Sequence, residues 1–260
     1  MLANFPTIFE WLDRFAFLRG FPAAYGVLLT ALIIIVIRDW RLALLALQIQ
    51  YLLGGLLFVD VLDPRLSIVK ILVGTFVCLI LYISARQVAW GRLPEDVGPE
   101  EAVVLRRESP LRFGRYLLPT TFPFRLLLAL MMVLTVWTLS QQSLFRLPIV
   151  PEPINLAVYA LLGLGLLGLS LNGEPLRAGM GLLTLLSGFE LFYSALEQSV
   201  AMLAALAALN LTIAVVVGFL MQARHAIPTL FDRGAGEGEG ERVPASWRGG
   251  LVHTRGWDSR

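Results

Sequence analysis

Long apolar stretches, broken by short polar turns, run through most of the chain. Seven of them approach the roughly 20 residues a helix needs to cross a bilayer: Phe21 to Ile37, Leu42 to Leu62, Leu66 to Ser84, Phe122 to Ser140, Ile154 to Leu171, Leu176 to Leu196 and Val200 to Met221. In hydrocarbon every backbone amide and carbonyl must be paired without water, which leaves helices or closed barrels. Barrel strands alternate apolar and polar positions over about ten residues. Runs such as Leu28-Leu29-Thr30-Ala31-Leu32-Ile33-Ile34-Ile35 do not alternate. The pattern predicts an all-α, polytopic membrane protein with seven spans.

Polar segments divide those spans. Ile8, Trp11, Leu12, Phe15 and Leu18 recur at helical spacing, and Thr7 with Glu10 can form a capping box. Residues 1–20 read either as an interfacial amphipathic helix or as an extension packed on the rest of the protein. Residues 21–84 make a first three-helix group, 122–140 a linker helix and 154–221 a second three-helix group. Between the first two, 85–121 mixes Glu95, Asp96, Glu100, Glu101 and Glu108 with arginines and prolines, a loop that belongs in water. From Arg233 the chain turns to Gly-Ala-Gly-Glu-Gly-Glu-Gly-Glu-Arg, too poor in apolar surface to offset its ordering entropy. A disordered tail, and an attachment point for a partner, is expected over 222–260.

Composition agrees: 57% of the residues are hydrophobic and 15% charged, against about 25% charged in soluble domains. A net charge of +2, with no basic run interleaved with aromatics, gives a nucleic acid nothing to bind. Cys78 is the only cysteine, which excludes an intrachain disulfide and a cysteine-based metal or iron–sulfur site. His225 and His253 both fall near the C-terminus, so haem ligation by paired intramembrane histidines is not expected. Nucleotide-binding and hydrolase motifs are missing too. No cofactor, no metal and no catalytic activity of its own are expected. Glu10, Asp13, Arg14 and Arg19 interrupt the start of the chain, which reads as retained rather than as a cleaved signal.

Basic residues set the expected orientation. With the N-terminus outside, 16 of the 21 basic residues lie on the inner side, leaving Arg14, Arg19, Arg65, Lys70 and Arg146 outside. The expectation is a multi-pass protein of the cytoplasmic membrane, N-terminus out and C-terminus in. Both three-helix groups then share one orientation. Each has an Arg-bearing inner turn, Arg38-Asp39-Trp40-Arg41 and Asn172-Gly173-Glu174-Pro175-Leu176-Arg177. A parallel repeat joined by the linker helix is suggested, although aligning Arg41 with Arg177 sets Gly54 opposite Glu190.

Ionisable side chains within spans are costly and mark function by default. Glu190 is the clearest, well inside the sixth span. Thr184, Ser187, Glu190, Ser194 and Glu197 recur at spacings of three, three, four and three, which puts them on one helix face. A carboxyl on such a stripe in low dielectric can exchange a proton near neutral pH; alternatively it stays neutral and only hydrogen-bonds a neighbouring helix. Asn210, across the short turn between the sixth and seventh spans, is its expected partner. Asp60 and Lys70 flank the outer turn of the first group, where an ion pair with Lys70 snorkelling outward is expected. Gln48 and Gln50 point to different faces, so at most one lines a polar interior.

The second three-helix group resembles the K subunit of respiratory complex I, the C component of Mrp-type cation antiporters and the E component of membrane-bound hydrogenases. The matching stretches are Leu161-Leu162-Gly163-Leu164-Gly165-Leu166-Leu167-Gly168-Leu169, Leu176-Arg177-Ala178-Gly179-Met180-Gly181, Gly188-Phe189-Glu190-Leu191 and Ala204-Ala205-Leu206-Ala207-Ala208-Leu209-Asn210. The resemblance covers about a quarter of the chain. It implies a non-catalytic subunit of a proton- or cation-translocating complex, embedded in lipid beside other membrane subunits, with Glu190 on the family's second-helix glutamate. Asn210 stands where the K subunit carries a second glutamate, a departure from a two-carboxylate relay. The alternatives are a stand-alone small transporter and a structural or assembly protein of the membrane.

Overall fold

The apolar runs fold as seven helices in a computed structural model that describes residues 16–37, 39–61, 64–88, 111–113, 116–118, 121–146 and 150–238. They are α1 (Phe21–Val36), α2 (Trp40–Val59), α3 (Pro64–Gln87), α4 (Thr121–Gln141), α5 (Glu152–Leu171), α6 (Pro175–Leu196) and α7 (Val200–Gly238). Local chemistry sets several starts. A proline opens the first turn of α1, α5 and α6, where its missing N–H has no intrahelical partner to lose. Asp39 caps α2, its side chain accepting from the Arg41 amide at 2.9 Å.

Six helices, α2 to α7, are long and apolar enough to cross a membrane, the spanning part of α7 being Val200–Ala223. α1 is apolar but has only 16 residues, about 24 Å at 1.5 Å per residue against a hydrocarbon core of about 30 Å. It is the shortest of the seven expected spans. Gly20, at φ 77°, turns the backbone just before it, a conformation glycine adopts without strain, and Ile37 is extended just after it.

Two further features depart from the sequence pattern. α7 stays helical to Gly238, where the apolar pattern ends at Met221 and disorder is expected from 222. Propagation of a helix already nucleated in the span accounts for Gln222-Ala223-Arg224-His225-Ala226; past Pro228, whose ring and missing N–H oppose a helix interior, local propensity does not explain it. A small antiparallel pair, β1 (Leu111–Phe113) and β2 (Tyr116–Leu118), lies in the loop before α4. Residues 1–15 of the expected N-terminal amphipathic helix, with the capping box of Thr7 and Glu10, fall outside the described residues, as do 239–260; its last part, Ala16–Leu18, is a single 3-10 turn. Among the described residues, 223–238 belong to a second compact unit.

In the bundle, α1, α2, α5 and α6 pack on one another; α3 flanks α2, and α4 lies against α1 and α5. α7 fills the side between α3, α6 and α2: Val217 lies against Gly179, Gly218 against Ser84, and Tyr51 bonds Asn210. Polar contacts sort the helix ends. At one end Arg177 Nη1 donates to the Ile37 carbonyl and Arg125 Nη1 to Asn172 Oδ1, and Gln222 meets Gln87. At the other, Arg19 pairs with Asp60, Gln198 Nε2 donates to the Val61 carbonyl, and Arg146 pairs with Glu152. These are called below the arginine end and the aspartate end. α1, α2 and α3 therefore traverse the bundle in the same sequence of directions as α5, α6 and α7.

Candidate functional site

Glycine decides how close α6 comes to its neighbours. A Cβ on Gly188 would fall 2.8 Å from Leu161 Cβ and 2.9 Å from Leu162 N, so α5 and α6 touch almost backbone to backbone. The close approach on that side leaves the Thr184–Ser194 stripe turned into the bundle. Thr184, Ser187, Glu190 and Ser194 are all buried, Glu190 at 2% exposure.

Three side chains from three other helices converge on the stripe. Asn210 of α7 donates from Nδ2 to Glu190 Oε1 at 2.5 Å, the partner the short turn between α6 and α7 implied. Tyr51 of α2 donates its hydroxyl to Asn210 Oδ1 at 3.3 Å. Lys70 of α3 forms an ion pair with Glu190 Oε2. Glu190 and Lys70 each lie six residues from the aspartate end of their helix, about 9 Å along the axis, so the two charges meet at one depth. The Lys70 ammonium also stands over two rings, 5.4 Å from the Tyr51 centroid and 6.0 Å from that of Phe58.

The expected Asp60–Lys70 pair does not form. Asp60 takes Arg19 at 2.8 Å, and Lys70 turns inward. α3 begins as early as Pro64, which carries Lys70 nearly two turns into the bundle, and the buried Glu190 offers the only carboxylate at that depth among the described residues. Sequence periodicity missed this partner because the pair joins the two three-helix groups; the one signal was that Lys70 is the chain's sole lysine and lies in an apolar span.

On the arginine side of the pair, Gln50 Nε2 donates to Thr184 Oγ1 at 3.3 Å, and Ser187 Oγ to the Leu183 carbonyl at 2.9 Å. Gln50 is thus the interior glutamine, while Gln48 reaches Thr75 on an exposed face. On the aspartate side lie Ser67 and Ser194, each one turn from its charged neighbour. Both are wholly buried, with hydroxyls that meet no hydrogen-bond partner among the described residues; Gln50 Oε1 is in the same position. A cavity of about 10 Å³, lined by Gln50, Tyr51, Gly54, Phe58, Lys70, Leu161, Ser187 and Leu191, opens beside the ammonium, room for about one water molecule. Glu197 leaves the buried stripe: it is exposed at the end of α6 and accepts from the Tyr193 hydroxyl at 2.9 Å.

Beyond Gln50 and Thr184 the interior turns largely apolar, with Thr30, Ser84 and Arg177 the buried polar side chains nearer the arginine end among the described residues. Leu47, Val77, Leu81, Leu176, Met180 and Leu183 close the bundle with an apolar cluster toward the arginine end. Among the described residues no three His, Cys, Asp or Glu side chains come close enough to hold a metal. No family model, curated protein or solved structure matches the chain.

Proposed function

We propose that the chain is a non-catalytic membrane subunit of a proton- or cation-translocating assembly of the complex I, hydrogenase or Mrp kind. In this reading its N-terminus is outside, its C-terminus is cytoplasmic, and the Glu190–Lys70 pair is part of the ion path. One observation carries it: a carboxylate and an ammonium held together inside the spanning helices, with Asn210, Tyr51, Ser187, Gln50 and Thr184 extending the polar groups away from them. Burying two charges costs several kcal/mol each, and well-packed apolar residues would do as well for stability. Retaining them therefore favours chemistry over packing. Asn210 in place of a second acid fits a path whose other ionisable group is Lys70.

The test removes both charges together, because Glu190→Gln alone would leave the Lys70 ammonium buried without its counter-ion. In the Glu190→Gln/Lys70→Met double variant, shape and neutrality are kept. Assembly with partner subunits should survive while ion flux by the assembly falls at least tenfold. Undiminished flux in an assembled double variant would reduce the pair to a structural tie between α3 and α6. Flux by the purified chain alone would point instead to a stand-alone transporter.

A further inference from the structure

The groups around the Lys70 ammonium are those of a cation site. They comprise a carboxylate, two aromatic faces, the Gln50 carbonyl oxygen that accepts no hydrogen bond, and the cavity between them. Ser67 and Ser194 add two buried hydroxyls on the same helix faces as Lys70 and Glu190, one turn toward the aspartate end. A single carboxylate balances one positive charge, whereas calcium takes six to eight oxygen ligands and magnesium a near-ideal octahedron. The ligand class is a small monovalent cation.

From this arrangement we infer that Lys70 is the tethered occupant of a monovalent-cation site, and that a free sodium or potassium ion arriving from the aspartate end takes its place at Glu190. The route is set by what lies on either side. Toward the aspartate end the next groups are the Ser67 and Ser194 hydroxyls, which can accept from or coordinate a cation. Toward the arginine end the interior is dominated by the apolar cluster of Leu47, Leu81, Leu176 and Met180. Toward the aspartate end the apolar packing of Leu57, Phe58 and Leu191 is interrupted by those two hydroxyls, and the pair is only about 9 Å from the helix ends. The four-carbon stem of Lys70 lets the ammonium withdraw without moving α3. The inference rests on the Glu190–Lys70 pair being part of an ion path, and it names the ion class that path admits.

Because Lys70 is the only lysine, amine chemistry reads it alone, with the N-terminal amine as internal control. The full chain, purified in detergent with its accompanying subunits, is reductively methylated with formaldehyde and dimethylamine–borane as hydride donor at fixed pH and ionic strength. The salt is sodium, potassium or tetramethylammonium chloride, the last too large for the cavity. Displacement predicts that Lys70 methylation, followed by mass spectrometry, runs several-fold faster in sodium or potassium while the N-terminal amine is unaffected. Equal rates in all three salts would overturn the inference, even where flux depends on the pair; the path would then carry protons. A second arm avoids the displacement step. Folded Lys70→Ala protein should gain thermal stability in sodium or potassium over tetramethylammonium, and the gain should vanish when Glu190→Gln is added. No salt-specific gain in folded Lys70→Ala protein likewise overturns it.

Discussion

At the scale of the residue, the pair makes a sharp energetic prediction. Lys70→Met leaves the buried Glu190 carboxylate without its counter-ion, held only by the Asn210 amide, and removing one partner of a buried pair costs about 3–5 kcal/mol. Adding Glu190→Gln removes the stranded charge, so the double variant should be more stable than Lys70→Met alone. Reversible unfolding in mixed detergent micelles measures both; a double variant that merely adds a second loss would show the two groups to be energetically independent. What the sequence disclosed here follows from reach. The polar face of α6 is a local periodicity, and Asn210 is near enough along the chain for a short turn to bring it to Glu190. Lys70 and Tyr51 come from helices whose packing on α6 no local pattern states, so the carboxylate was legible and its counter-ion was not.

Helix bounds, at the scale of the element, were legible to within about three residues apart from the end of α7 at Gly238, because the length of an apolar run is the quantity the bilayer constrains. What the runs could not disclose is which faces touch. α5 and α6 make the tightest contact, and glycine allows it: a Cβ on Gly181 would sit 2.6 Å from Leu169 N and 2.8 Å from Gly168 C, both backbone atoms. Backbone cannot step aside as a side-chain tip can. Gly181→Val should therefore cost at least about 1–3 kcal/mol, the range for overpacking, and loosen the stripe that carries Glu190. Gly54→Ala is the matched control, since its Cβ meets nothing within 4 Å. Thermal melts that shift equally for the two would contradict the close packing. The two three-helix groups repeat in direction but not in contact: α3 packs along α2, whereas α7 shares its inner face among α6, α3 and α2.

For the whole molecule, the bundle sorts its charged residues by end. Arg41, Arg86, Arg125 and Arg177 gather at one end with Asp39 and Glu174; Asp60, Glu152 and Glu197 lie at the other with Arg65 and with Arg19 and Arg146, the last two each paired to an acid. Between the two ends the outer surface is largely apolar: α4 buries only 11% of its spanning window and α7 22%, leaving Leu127, Leu130, Leu134, Val215 and Phe219 exposed, as contact with lipid requires. In the proposed orientation, which rests on the basic excess alone, the arginine end faces the cytoplasm. If the pair belongs to an ion path, that orientation also sets which solution lies nearer to it, because Glu190 and Lys70 each lie six residues from the aspartate end of their helix. Orientation is tested by two single cysteines. One goes into the loop between α3 and α4, the other at Gln142, exposed at the far end of α4; the native Cys78 is buried and should stay silent. In intact cells an impermeant thiol reagent should label the Gln142→Cys protein and spare the loop cysteine, which should react only after lysis. The reverse pattern would turn the bundle over, and would then make the cytoplasm the source of any ion that reaches Glu190 from the aspartate end.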